Sequence, residues 1–167
     1  MRSSRRRLLG VLSLLLVSGL TVSVVAQARL SLGGSSSNYG RRALEGGFTP
    51  DPVEVNIVSG GALDSSNMSL GSGCVGFVTR QPDFILDYSD AANFLRFYVT
   101  ASGDTTLLIN DAAGNWHCND DSNNGTNPMV DIRNPPTGQY DIWVGSYEAR
   151  ANIRSKLHIT ELQSRHP

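Results

Sequence analysis

From Pro52 onward the chain falls into short runs of alternating apolar and polar residues separated by turn residues, and no stretch of a dozen residues keeps a capped helical period. Val53, Val55 and Ile57 alternate with Glu54 and Asn56. Cys74 to Thr79 and Phe84 to Tyr88 read as a strand pair joined across Arg80-Gln81-Pro82-Asp83, where Pro sets the turn. Leu95, Phe97 and Val99 alternate with Arg96 and Thr100, and the turn Ser102-Gly103-Asp104 leads into Thr105 to Ile109, which predicts a hairpin. A turn over Asn110 to Asn115 precedes a short strand at Trp116 to Cys118. Met129 to Arg133, then Tyr140, Ile142 and Val144, and finally Leu157, Ile159 and Thr160 supply the remaining runs. Eight or nine short strands, each with one apolar face, need a second sheet to bury that face. The expectation is an all-β, two-sheet antiparallel sandwich of jelly-roll-like form.

The N-terminus obeys a different rule. Arg2, Arg5, Arg6 and Arg7 precede an apolar run from Leu8 to Val25, and Ala26-Gln27-Ala28 follows. A basic head, an apolar middle and a small-residue end form the three-part pattern of a cleavable export signal. Residues 1–28 are therefore read as a signal peptide and 29–50, rich in Ser, Gly, Asn and Arg, as a flexible leader. The domain is expected over 51–163, with 164–167 as a disordered tail. The expected location is secreted or periplasmic, with no membrane attachment after cleavage.

Export fixes the reading of the cysteines. Cys74 and Cys118 are the only two in the chain, and in an oxidising compartment they are expected to form one disulfide. A zinc site built from Cys74, Cys118 and His117 would lack the close cysteine pairs that such sites use. Charge narrows the partners. Removing the four arginines of the head from 14 basic residues, against 15 acidic ones, leaves a net charge of −5. With no basic stripe, nucleic acid and anionic membranes are disfavoured as partners.

Three segments carry a family likeness. Asp104 to Asn110 followed by Gly114-Asn115, then Asn119-Asp120-Asp121 with Asn127, and Thr137 to Val144 together resemble the bacterial pre-peptidase C-terminal domain. The likeness covers Asp51 to about Leu162, and Gly73 to Phe77 with the cysteine pair is similar to a subgroup of small exported proteins. The resemblance implies an extracellular β-sandwich acting as a non-catalytic accessory module. It also implies a protein or cell-surface partner, such as a secreted peptidase.

Chemistry is sparse. Asp120, Asp121 and Asn127 crowd one polar stretch, and Asp104, Asn110 and Asp111 sit at flanking turns. Hard cations take oxygen ligands of this kind, so Asp104, Asp111, Asp120, Asp121 and Asn127 form a candidate calcium set with a structural role. The spacing is not that of an EF-hand, and Asp and Asn also favour turns for their own backbone bonds. His117, His158 and His166 have no Gly-x-Ser-x-Gly elbow to serve, which argues against a small secreted hydrolase. Asp87, Asp131 and Asp141 lie in strands, where a carboxylate pair for glycoside hydrolysis would have to form. Trp116 and Trp143 offer a second reading, a glycan-binding module in which an exposed indole stacks on a sugar ring. Alternatively, a loop or the leader covers each indole.

Overall fold

A computed structural model describes residues 29–122 and 125–167; the expected export signal over 1–28 lies outside them. The described residues contain eleven strands and one 3-10 turn, and no α-helix. The strands are β1 (Arg41–Glu45), β2 (Val53–Val58), β3 (Leu63–Asp64), β4 (Phe77–Val78), β5 (Phe84–Ser89) and β6 (Phe94–Ala101). They continue with β7 (Thr105–Asn110), β8 (Trp116–Asn119), β9 (Met129–Arg133), β10 (Gly138–Ser146) and β11 (Arg154–Thr160).

Two sheets result. The larger has seven strands, running β1-β5-β10-β4-β3 with β7 and β8 joined through β10, and the smaller is β2-β11-β6-β9. The expected two-sheet sandwich is what the alternation produces: Leu95, Phe97 and Val99 of β6 face Tyr140, Ile142 and Val144 of β10 in one buried core. Seven and four strands differ from the eight of a jelly roll. One pairing also departs from antiparallel, since β1 runs parallel to β5 with Leu44 opposite Tyr88.

Both expected hairpins fail for one reason. Alternation reports which residues face inward but not which sheet a strand joins. The Ser102-Gly103-Asp104 turn carries the chain from β6 in the smaller sheet to β7 in the larger, so those strands do not pair. β4 and β5 do not pair with each other either. They lie in tandem along the same edge of β10, with Phe77 opposite Ser146 and Phe84 opposite Ile142. The break between them would orphan the Val144 amide, and the Asp83 carboxylate fills it by accepting that N–H at 2.8 Å.

The ends of the domain are also firmer than composition suggests. The stretch expected as a flexible leader contains β1, and Asn38 and Tyr39 donate their amides to the carbonyls of Pro82 and Asp83. Polar side chains that look like linker in the sequence serve here as lacing: Asn38 Nδ2 reaches Asp83 at 2.9 Å and Arg41 pairs with Asp87. Likewise the tail is held, because Arg96 Nη1 donates to the carbonyls of Gln163 and Arg165.

Candidate functional site

The site begins with the register of the larger sheet. Trp143 stands opposite Leu108, and Leu108 opposite Cys118, so the three share one row on the face turned away from the core. Asn110 and Trp116 pair one step along. Because Cys118 is in that row, its bond to Cys74 pins the 65–76 loop over this face. The disulfide expected from the sequence is therefore present, with a Cα–Cα separation of 4.9 Å. It points to an oxidising, extracytoplasmic environment.

The loop is ordered from within. Asp64 caps a single 3-10 turn, Ser65–Met68, by accepting the Ser66 amide at 3.0 Å and the Asn67 side-chain amide at 2.7 Å. Ser65 is buried and donates both its amide and its hydroxyl to the Gly76 carbonyl, closing the loop at its base. Gly61 passes so close to the Val78 backbone that no Cβ would fit. On the other side the N-terminal segment is laid down by Ser31 N–H to Arg80 O, Arg80 Nη1 to Arg29 O at 2.8 Å, and Gly33 N–H to Asp141 Oδ2 at 2.7 Å.

Between these two covers lies an open groove of about 630 Å³. Its apolar lining is Leu30, Leu32, Leu63, Met68, Leu70 and Trp116, and Arg29, Asp64, Asn67 and Ser69 supply polar groups. Trp116 is half-buried and packs on Trp143 with ring centroids 5.6 Å apart, which fixes the indole at the groove. Trp143 is not available as a ligand platform: it is 0 % exposed under Leu30, Leu63, Leu70 and Trp116. Of the two candidate binding tryptophans, only Trp116 reaches the surface.

The five candidate calcium ligands separate. Asp111 is buried and committed to its own turn, accepting the amides of Ala113 and Asn115 at Oδ1 and the His117 ring at Oδ2, 2.8 Å away. Burial alone would raise its pKa, but the bonds from His117, Asn115 and Ala113 prevail and hold it below the usual carboxylate range. Asn127 accepts from Thr105 and donates to the Ala101 carbonyl. Asp104 is different, since its Oδ1 is buried without a partner. Its pKa is raised first by that burial and then by the charges of Asp121, Asp120 and Glu148, which places four carboxylates near one corner. Among the described residues, no three His, Cys, Asp or Glu side chains stand close enough to hold an ion together.

The remaining histidines and strand carboxylates have neighbouring partners of their own. The Asp111–His117 pair is the geometry that orients an imidazole, yet both cysteines are in the disulfide. His158 stacks flat on Tyr98 at 4.3 Å and shares a 2.9 Å bond with Thr100. Asp87 is paired with Arg41, Asp131 with Arg96, and Asp141 accepts from Gly33 and Gln139. The groove itself was not legible in the sequence, because Leu30 and Leu32 lie in what reads as leader. The one available signal was their apolar side chains in a Ser- and Gly-rich stretch. No protein-family model matches this chain, and no curated protein matches it.

Proposed function

We propose that this chain is an exported, non-catalytic binding module whose mature form starts near Arg29 and which engages a protein or cell-surface component through the groove at Trp116. The carrying observation is that groove: about 630 Å³, within the range of roughly 300–1,000 Å³ usual for ligand sites, with a fixed indole at its wall. The resemblance to pre-peptidase C-terminal domains supports an accessory role beside a secreted peptidase. The N-terminal pattern together with the disulfide supports secretion or periplasmic residence.

Binding is tested by cosedimentation of the purified protein with cell-envelope fractions. Retention that falls about tenfold in Trp116→Ala, measured well below that variant's own melting transition, supports the reading; equal retention of both proteins overturns the groove as the binding face.

With no three carboxylates among the described residues close enough to hold an ion together, the calcium reading reduces to Asp104, where a cation drawing its other ligands from water and backbone carbonyls would satisfy the buried Oδ1 and relieve the repulsion from Asp120 and Asp121. An ion bound only by the native state at ten times its Kd adds about 1.4 kcal/mol. Millimolar calcium should therefore raise the melting temperature by a few degrees over chelator, and Asp104→Asn should remove the difference; identical melting curves for the parent protein would exclude the ion.

A further inference from the structure

The groove's lining narrows the class of ligand. Trp116 rests on Trp143 at 5.6 Å with its plane tilted by 38°, so one side of the indole is backed by the protein and its orientation is set before anything binds. A rigid indole at an open groove is a stacking surface for the apolar face of a pyranose ring. A purely apolar ligand would leave the polar groups at the same groove unpaired. Asn67 is exposed, donates its Nδ2 to Asp64 at 2.7 Å, and has no partner for its Oδ1 among the described residues. The held Asp64 carboxylate and the exposed Arg29 put one negative and one positive group at the groove, so it has no net preference for a charged polymer. The net charge of −5 from Arg29 onward further disfavours a polyanion.

A plain sugar explains the indole and the polar groups but leaves Met68, and the parts of Leu63 and Leu70 that face the groove rather than pack over Trp143, in water. An acetamido substituent explains both, because it carries an N–H for the Asn67 Oδ1 and a methyl group for the aliphatic side chains. We infer that the groove binds N-acetylated hexosamine units of a polysaccharide, with the pyranose ring on Trp116, the acetamido N–H on Asn67 and the acetyl methyl against Leu63, Met68 and Leu70. This assignment rests on the binding-module reading and names its ligand. Met68, unbranched and polarizable, adapts to the methyl. Asp64 Oδ2, which takes only the Asn67 amide while Oδ1 serves Ser66 twice, has room to accept one ring hydroxyl.

The test is titration of the purified protein with a tetramer of β-1,4-linked N-acetylglucosamine, followed by tryptophan fluorescence and calorimetry. Trp143 is sealed in the packing beneath, so a change in emission reports on Trp116. Saturable binding is expected, weakened about tenfold or more in Trp116→Ala, less in Trp116→Phe, and several-fold in Asn67→Ala. The glucose tetramer with the same linkage, lacking the acetamido group, should bind at least about tenfold more weakly. Equal affinity for both tetramers overturns the acetamido assignment. No saturable response to either overturns the sugar, and if envelope retention still depends on Trp116, an apolar peptide becomes the occupant and the binding module stands. Loss of that dependence as well overturns both.

Discussion

On its outer face the larger sheet carries Trp143, Leu108 and Val78, whereas the smaller sheet carries Arg96, Tyr98 and His158. Both faces are covered, but the covers differ in kind. The apolar row lies under a loop fastened by Cys74–Cys118 and under the N-terminal segment at Leu30. The polar row is closed by direct pairing: Arg96 binds both oxygens of Asp131 at 2.6 and 2.7 Å and ties down the tail at Gln163 and Arg165. An indole needs a dry lid, and a lid of Ser, Gly and Asn has too little apolar surface of its own to stay closed. A guanidinium needs only acceptors, which a short tail provides through its backbone. The groove arises where the larger sheet's lid is made of two pieces, one covalently held and one laced, that do not meet over Trp116.

Breaking the covalent piece is therefore the largest perturbation. The disulfide closes a loop with a sequence separation of 44, which on the chain-entropy account contributes about 4 kcal/mol. The double variant Cys74→Ser, Cys118→Ser should lose about that much in urea unfolding, and its tryptophan emission should shift to the red as water reaches Trp143. The Tyr98–His158 side of the molecule should be untouched. A loss under about 1 kcal/mol with unshifted emission would mean that the N-terminal lacing alone holds the lid, and the contrast between the two faces would collapse.

The same contrast explains how much could be read in advance. Alternation along β6 and β10 identified the shared core, because a period of two is written in each strand separately. The same period puts Trp143 on the face opposite Tyr140, Ile142 and Val144, and the disulfide follows from two cysteines and an export signal. Strand partners were not legible: whether Ser102-Gly103-Asp104 makes a hairpin or a crossing depends on β10 and β11, which lie far along the sequence. Nor was the groove, since its two walls come from 29–32 and 62–70 and are joined only by folding. The acidic residues could be read two ways in the sequence for a local reason. Asp111 caps its own turn with the same oxygens that a cation would need.

Acid and base should act on the two sheets with opposite sign, and the larger sheet's response should be the stronger. Asp83, 1 % exposed in the break between β4 and β5, has its pKa pushed up to about 7 by burial, against the opposing bonds from Asn38 and Val144. Its folded pKa lies above the unfolded value of 3.8, so the native state holds the extra proton between those limits. The stability this confers is complete at acid pH and is lost as pH rises through 7. Asp83→Asn cannot ionise, but its amide in place of Oδ2 faces the Val144 N–H, which costs about 1–3 kcal/mol at pH 5. The deficit of Asp83→Asn relative to the parent should shrink from pH 5 to about pH 7 and then level off in urea titrations. A constant deficit would show that Asp83 is already ionised at pH 5.

His158 sharpens the comparison from the other side, with the smaller effect. Burial lowers its pKa below 6.5, opposed by Glu54 on β2 and assisted by Lys156 on β11, while Tyr98 and Thr100 of β6 complete its surroundings. The folded value lies below the unfolded one, so its contribution is complete above pH 6.5 and is lost as pH falls through the folded value. Protonation places a cation in a site where Nδ1 is buried without a partner and Glu54 Oε1 lies 3.5 Å away, just beyond a good hydrogen bond. His158→Phe keeps a flat ring against Tyr98 and removes the titration, so the variant should lose less stability than the parent between pH 6.5 and pH 4.5. Stacked on Asp83→Asn, the two changes should leave a nearly flat profile from pH 5 to pH 8. Steeper loss below pH 6.5 in His158→Phe than in the parent would mean that Glu54 captures the proton's charge, making this face acid-stabilised like the larger sheet.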